Sequence, residues 1–314
     1  PARRPRLLIA LVAALAVLLG LAGALLHGGS SAGDRPRPVV AVLGFEDLSG
    51  ASIAGWHSGA LAEMIRLELG AGDRVRSISG DEVARMKVDL ALADADPQPI
   101  ERIAQIRTVT AADQVVCGSY RVSPDGATVI VNVRLQDART GATTAAFVEE
   151  GPEAELRALA ARAGARLRQE LGVSPSAPGE GEPQAGLPPD PEALRLYVLG
   201  QEKLRNLDPV GARALLLQAA GMDGQSPLLL AALSSAWWAM GHDDKAEEAA
   251  RRALGRSGSL PRPQRLRVEA RMHEITGQWS KAVDIHRALQ ILSPDDIEVT
   301  IGLITALSGS GRAA

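Results

Sequence analysis

The stretch PLLLAALSSAWWAMGHDDKAEEAARRAL, residues 227–254, reads as two helices joined back to back. Leu230, Leu233, Ser234 and Trp237 recur at helical spacing, Gly241 interrupts them, and Ala246, Ala250 and Ala253 resume it. The grouping returns along the chain. Ala212, Ala246 and Ala282 are spaced 34 and 36 residues apart, and Gly241, Gly277 and Gly311 follow at 36 and 34. A recurrence of that length marks a stack of similar supersecondary units. A degenerate first unit offers Leu196, Leu199, Gly200, Ala212, Leu216 and Ala219. The third supplies Leu266, Ala270, His273, Gly277, Ala282, His286 and Pro294. A fourth, with Leu303, Leu307 and Gly311, stops at Ala314 before a second helix. Small residues are needed where paired helices approach closely, and each unit buries its apolar face against its neighbour. Gly200, Ala212, Ala219, Trp237, Gly241, Ala246, Ala253, Ala270, Gly277, Ala282, Pro294 and Gly311 are therefore expected to be the packing positions of a helical array over 191–314.

Upstream, GVSPSAPGEGEPQAGLPP (172–189) is half proline and glycine, and residues 172–190 read as a solvated linker. Residues 38–171 mix β-branched runs with helical stretches and are expected to form one α/β domain. Its strands are expected at Val39–Phe45, Arg74–Ile78, Asp113–Val122, Ala127–Gln136 and Ala142–Glu149. Helices are expected over 54–70, from a Ser79/Glu82 capping box, from Pro97 onward, and over 152–171. Val129, Val131, Val133 and Leu135 alternate with Ile130, Asn132 and Arg134, the signature of a strand with one buried face.

Leu7 to Leu26 are 20 residues without a charged or hydrogen-bonding side chain. As a helix they span about 30 Å, the thickness of a bilayer's hydrocarbon core. Arg3, Arg4 and Arg6 in the flank 1–6 place the amino side in the cytoplasm; 27–37 connect the span to residues 38–314 outside. Ser30-Ser31-Ala32 offers the rival reading of a cleaved signal peptide. Both readings export residues 38–314. The formal net charge of −3 argues against nucleic acid as a partner, and a single cysteine, Cys117, excludes an intrachain disulfide and thiolate-rich metal clusters. Pro1 in place of methionine suggests a processed chain or a piece of a longer one.

Several stretches resemble known families. VAVLGFEDLSG (40–50), Trp56 with its helix, ADQVVCGSYRV (112–122) and VNVRLQDARTG (131–141) resemble the TolB amino-terminal-like (FlgO-like) domain over 38–150. Gly44 stands where that family usually has proline, which implies a looser strand end. Residues 191–314 resemble tetratricopeptide repeats. The succession of basic flank, span, TolB-like domain, proline-rich linker and PDPEALRLYVLGQEKLRNLD (189–208) is similar to the carboxyl-terminal half of bacterial eukaryotic-like serine/threonine protein kinases. That resemblance implies a kinase domain before the span. Winged-helix transcription regulators and class III adenylate cyclases carry similar tails and remain alternatives, as does a free-standing envelope scaffold.

No catalytic motif occurs in this chain: G-x-x-x-x-G-K-[ST], H-E-x-x-H, G-x-S-x-G, H-R-D and D-F-G are all absent. No catalytic, cofactor-binding or metal-binding residue is expected. His273 and His286 fall on facing helices but lack a third ligand, and His57 beside Trp56 reads as packing. Trp237 and Trp238 are adjacent and cannot share a helix face, so one belongs to the core while the other is free to line a groove. Glu46-Asp47 reads as turn chemistry and Cys117 as a small buried apolar residue. The expected function is a membrane-tethered interaction or sensor module, with a protein or peptide as partner in the repeat groove.

Overall fold

The computed structural model describes residues 37–50, 55–173, 183–294 and 296–311. The expected membrane span at 7–26, with its flank, lies outside the described residues. Among the described residues no helix is long and apolar enough to cross a membrane.

Strand β1 (Val39–Asp47) lies next to the edge of a five-stranded mixed sheet of order β2-β1-β3-β4-β5. It runs parallel to β2 (Arg76–Ser77) and β3 (Gln114–Val122), while β4 (Thr128–Asp137) and β5 (Thr143–Pro152) follow antiparallel. Alternation along the strands sends side chains to two layers. Val40, Val42, Phe45, Val116 and Tyr120, with the four alternating residues of β4, meet α1 (Trp56–Gly70) and α4 (Leu156–Glu170). Ala41, Leu43, Val115 and Cys117 meet α2 (Gly80–Asp89) and α3 (Ile100–Thr110) on the opposite side.

Two local expectations are corrected. The helix expected from Pro97 starts at Ile100, because the backbone of Gln98 is committed elsewhere. Its N–H donates to Gln136 Oε1 (3.0 Å) and its carbonyl accepts from Gln136 Nε2 (3.1 Å). The strand end at Gly44 is not loose. β1 runs on to Asp47 through a register shift between Val42 and Phe45, with Gly44 at φ +148°. A Cβ there would lie 2.5 Å from Asp94 Oδ1, so glycine fits a conformation and a space that other residues do not. The capping expectation at Ser79 holds, since its Oγ accepts from the Glu82 N–H at 3.1 Å.

The rest of the chain is helical: α5 (Pro191–Arg205), α6 (Pro209–Met222), α7 (Pro227–Ala239), α8 (Asp243–Gly255), α9 (Arg262–Ile275), α10 (Trp279–Leu292) and α11 (Ile297–Gly309). They pack as hairpins α5/α6, α7/α8 and α9/α10, with α11 against α10. Ala212, Ala219, Ala246, Ala253 and Ala282 are wholly buried, and Ala270 and Trp237 nearly so. Gly200 is buried where a Cβ would stand 2.7 Å from Leu216 Cγ, so helix approach within the first hairpin depends on it. Gly241, Gly277, Gly311 and Pro294, expected to pack, are exposed. The three glycines instead carry φ values of +74°, +66° and +71° in the turn after the first helix of a unit.

The same turn in the first hairpin falls on Leu207, 34 residues before Gly241, and Leu207 adopts φ +56° while 89% exposed. A side chain in this region costs roughly 1–2 kcal/mol, part of which glycine returns by loosening the unfolded chain. Leu207→Gly is expected to raise stability by about 0.5–1 kcal/mol in urea melts; an unchanged or lower midpoint would show that the turn is unstrained.

The stretch expected as a solvated linker ends in buried structure. Gln184 donates to Glu68 Oε1 (2.7 Å) and its carbonyl accepts from Arg157 (2.7 Å), while Leu187 is buried. One apolar core then continues from the sheet through α1 into α5, α6 and α7 by way of Leu194, Tyr197, Val198 and Leu229.

Candidate functional site

The first helices of successive hairpins, α5, α7 and α9, contact one another and form one side of the array. At its centre Trp238, on α7, remains 41% exposed. The Arg271 guanidinium of α9 lies 4.4 Å from the centre of its ring, and Arg271 also donates to Glu274 Oε2 at 3.3 Å. A guanidinium stacked on indole keeps its edge donors free to meet a carboxylate or carbonyl, while the ring supplies apolar area. Arg267, one turn before Arg271, donates to Asp296 Oδ2 at 2.6 Å. Trp237 turns the other way into the core, with Lys245 Nζ at 4.4 Å and the His242 ring edge-on at 5.2 Å. The adjacent tryptophans thus divide as their helical spacing requires.

His286 and His273 each face a carboxylate of their own. His286 Nε2 is 2.6 Å from Glu274 Oε1, and His273 Nε2 is 3.9 Å from Glu269. Burial pushes the Glu274 carboxyl up, but the His286 hydrogen bond and the Arg271 charge outweigh it and leave its pKa below the ordinary value. Glu274 therefore stays charged beside Arg271 and helps fix the platform. Among the described residues no group of three His, Cys, Asp or Glu side chains could hold a metal ion.

A second concavity, of about 260 Å³, opens where the end of β1 meets α1, α2 and α5, with Ser58, Arg66, Lys87, Asp94 and Arg205 in its wall. Its cations are already matched. Arg66 pairs with Glu63, Lys87 with Asp94, and Arg205 with Asp81 (2.9 Å) and Glu63 (3.6 Å). Ser58 Oγ donates to Asp94 (3.1 Å) and accepts from the Phe45 N–H (3.0 Å), which ties the loop carrying Asp94 to β1. That arrangement is a brace rather than an activated nucleophile, because the acceptor of the hydroxyl is the weakly basic Asp94 carboxylate, already paired with Lys87.

The other candidate residues have structural duties. His57 is fully buried between the rings of Trp56 and Tyr120, with Nε2 2.8 Å from Glu153 Oε1. Asp47 Oδ1 accepts from the Ser49 N–H at 2.8 Å, the turn chemistry expected of that segment. Cys117 is buried and its thiol pKa is pushed up by desolvation to about 11, so it is not a ready nucleophile. Sequence reasoning missed Arg267, Arg271 and Glu274, although their i, i+4, i+7 spacing on α9 places them on one face.

No protein-family model matches the chain, and no curated protein does. Among solved structures, the C-terminal domain of LpoB from Salmonella enterica is similar at 15% identity with a TM-score of 0.30, covering 38% of this chain and 86% of that domain.

Proposed function

We propose that this chain is an interaction module whose helical array, of tetratricopeptide type, binds a protein or peptide on the face carrying Trp238 and Arg271. The observation that carries the reading is the half-exposed indole stacked under a carboxylate-positioned guanidinium on the shared side of the first helices. Aromatic and arginine side chains in that arrangement are the ones that dominate binding energy at interfaces. The periodic left-handed turns and buried alanines support the repeat assignment, and the sequence resemblance supports a sheet domain of TolB amino-terminal-like type. The wider setting rests on that resemblance and on residues 7–26: a single-pass anchor, an extracytoplasmic location, and a parent serine/threonine kinase in which this part is the non-catalytic sensor.

The test uses the whole chain in detergent micelles and a phage-displayed random-peptide library. Enriched peptides are expected, and Trp238→Ala and Arg271→Ala should each weaken their binding by tenfold or more, about 1.4 kcal/mol. Absence of enrichment, or binding indifferent to both substitutions, would overturn the proposal.

A further inference from the structure

Helix α2 of the sheet domain touches the helical array at both its ends. Asp81 and Arg85, one helical turn apart on α2, share a face. Asp81 Oδ1 accepts from Arg205 Nε on α5 at 2.9 Å, and Arg85 pairs with Glu298 on α11, 213 residues away in sequence. The two ends are held differently. At the α5 end, Tyr197 and Val198 share an apolar core with Leu61, Met64 and Ile65 of α1, so the first hairpin is fused to the sheet domain. At the α11 end, the apolar residues of α11 cluster with Ala282 and Val283 of α10, and those of α2 cluster with the sheet. Among the described residues no apolar cluster joins α11 to the sheet domain.

What meets there is ionic. Glu82, buried on α2, lies within electrostatic reach of the carboxylates of Asp296 and Glu298 as well as Arg76 and Arg85, and its Oε2 has no hydrogen-bond partner. A seam of this kind gains little from closure, because an ion pair that stays partly open to solvent is weak and is screened by salt. An apolar core at one end and a screened ion pair at the other make a hinge and a latch.

We infer that the array closes on its own sheet domain through the Arg85–Glu298 contact and opens about the α1–α5 anchor. The closure stands apart from the binding reading and does not rest on it.

The test is a distance measurement without any ligand. Spin labels are placed on Val88→Cys of α2 and Thr305→Cys of α11, both exposed, in the full chain in detergent; the native Cys117 is buried and takes no label. One narrow distance distribution is expected at low salt. Glu298→Arg should broaden it or move it outward by more than about 5 Å, one helical pitch. Arg85→Glu combined with Glu298→Arg should restore it, and a control pair at 88 and 207, beside the anchor, should not change. A distribution that is already broad in the parent, that ignores Glu298→Arg, or that the charge swap fails to restore would overturn the latch. Because no peptide enters the measurement, its failure is distinguishable from failure of the groove reading.

Discussion

Gly118→Ala should destabilise the protein by about 3 kcal/mol or more, beyond the usual penalty for an added methyl group. Gly118 sits in the middle of β3, paired with Val133 of β4 and Phe45 of β1. A Cβ at this position would lie 2.0 Å from the Asn132 carbonyl oxygen and 2.8 Å from the Phe45 ring. The ring can turn at a cost, but the carbonyl belongs to the neighbouring strand and cannot move without opening the ladder. The strand that would open is the one whose Val129, Val131, Val133 and Leu135 supply the core beneath α1 and α4. Urea melts of residues 38–314 provide the measurement. Gly255→Ala, where the added methyl meets nothing within 4 Å, is the control and should lie within about 1 kcal/mol of the parent. Equal midpoints for the two variants would show that β3 and β4 do not approach as described.

Ala246→Leu is the second large expected effect. Ala246 is wholly buried in α8, in the core that includes Leu233 and Trp237 of α7. Three added carbons have no space between paired helices and must push them apart, an overpacking cost of about 1–3 kcal/mol. The same replacement at exposed Glu248, two residues on, should stay within about 0.5 kcal/mol. The contrast separates crowding between helices from any general effect of added leucine. Coincident melts would show that Ala246 is not an interior position.

What the sequence made legible was whatever a local rule enforces. The β3–β4 hairpin could be read because Ser123-Pro124-Asp125-Gly126 is turn chemistry, and Gly126 indeed has φ +72° with its N–H donating to Ser123 O at 2.8 Å. The helical units could be read because a left-handed turn favours glycine at 241, 277 and 311. The same rule hid the equivalent turn at Leu207, an exposed residue that adopts the left-handed conformation glycine favours. Long-range partners were invisible. Gln184 and Leu187 looked like linker because Glu68 and Arg157, which hold Gln184, are distant in sequence. Arg267 and Arg271 carry no local signal of a role, because it is α7 and α9 lying side by side that sets Arg271 over Trp238. Pro97 misled because a proline that suits a helix start also suits an extended segment, and Gln136 decided between them.

The most direct test of the groove is hydrogen exchange on the full chain with and without a saturating library-selected peptide. Amide protection should rise along α7 near 234–239 and α9 near 264–275, whose side chains form the platform, and should stay unchanged along the outer helices α6 and α8 and along β4 and β5. Protection confined to the sheet or to the outer helices, with α7 and α9 unaffected, would contradict the account.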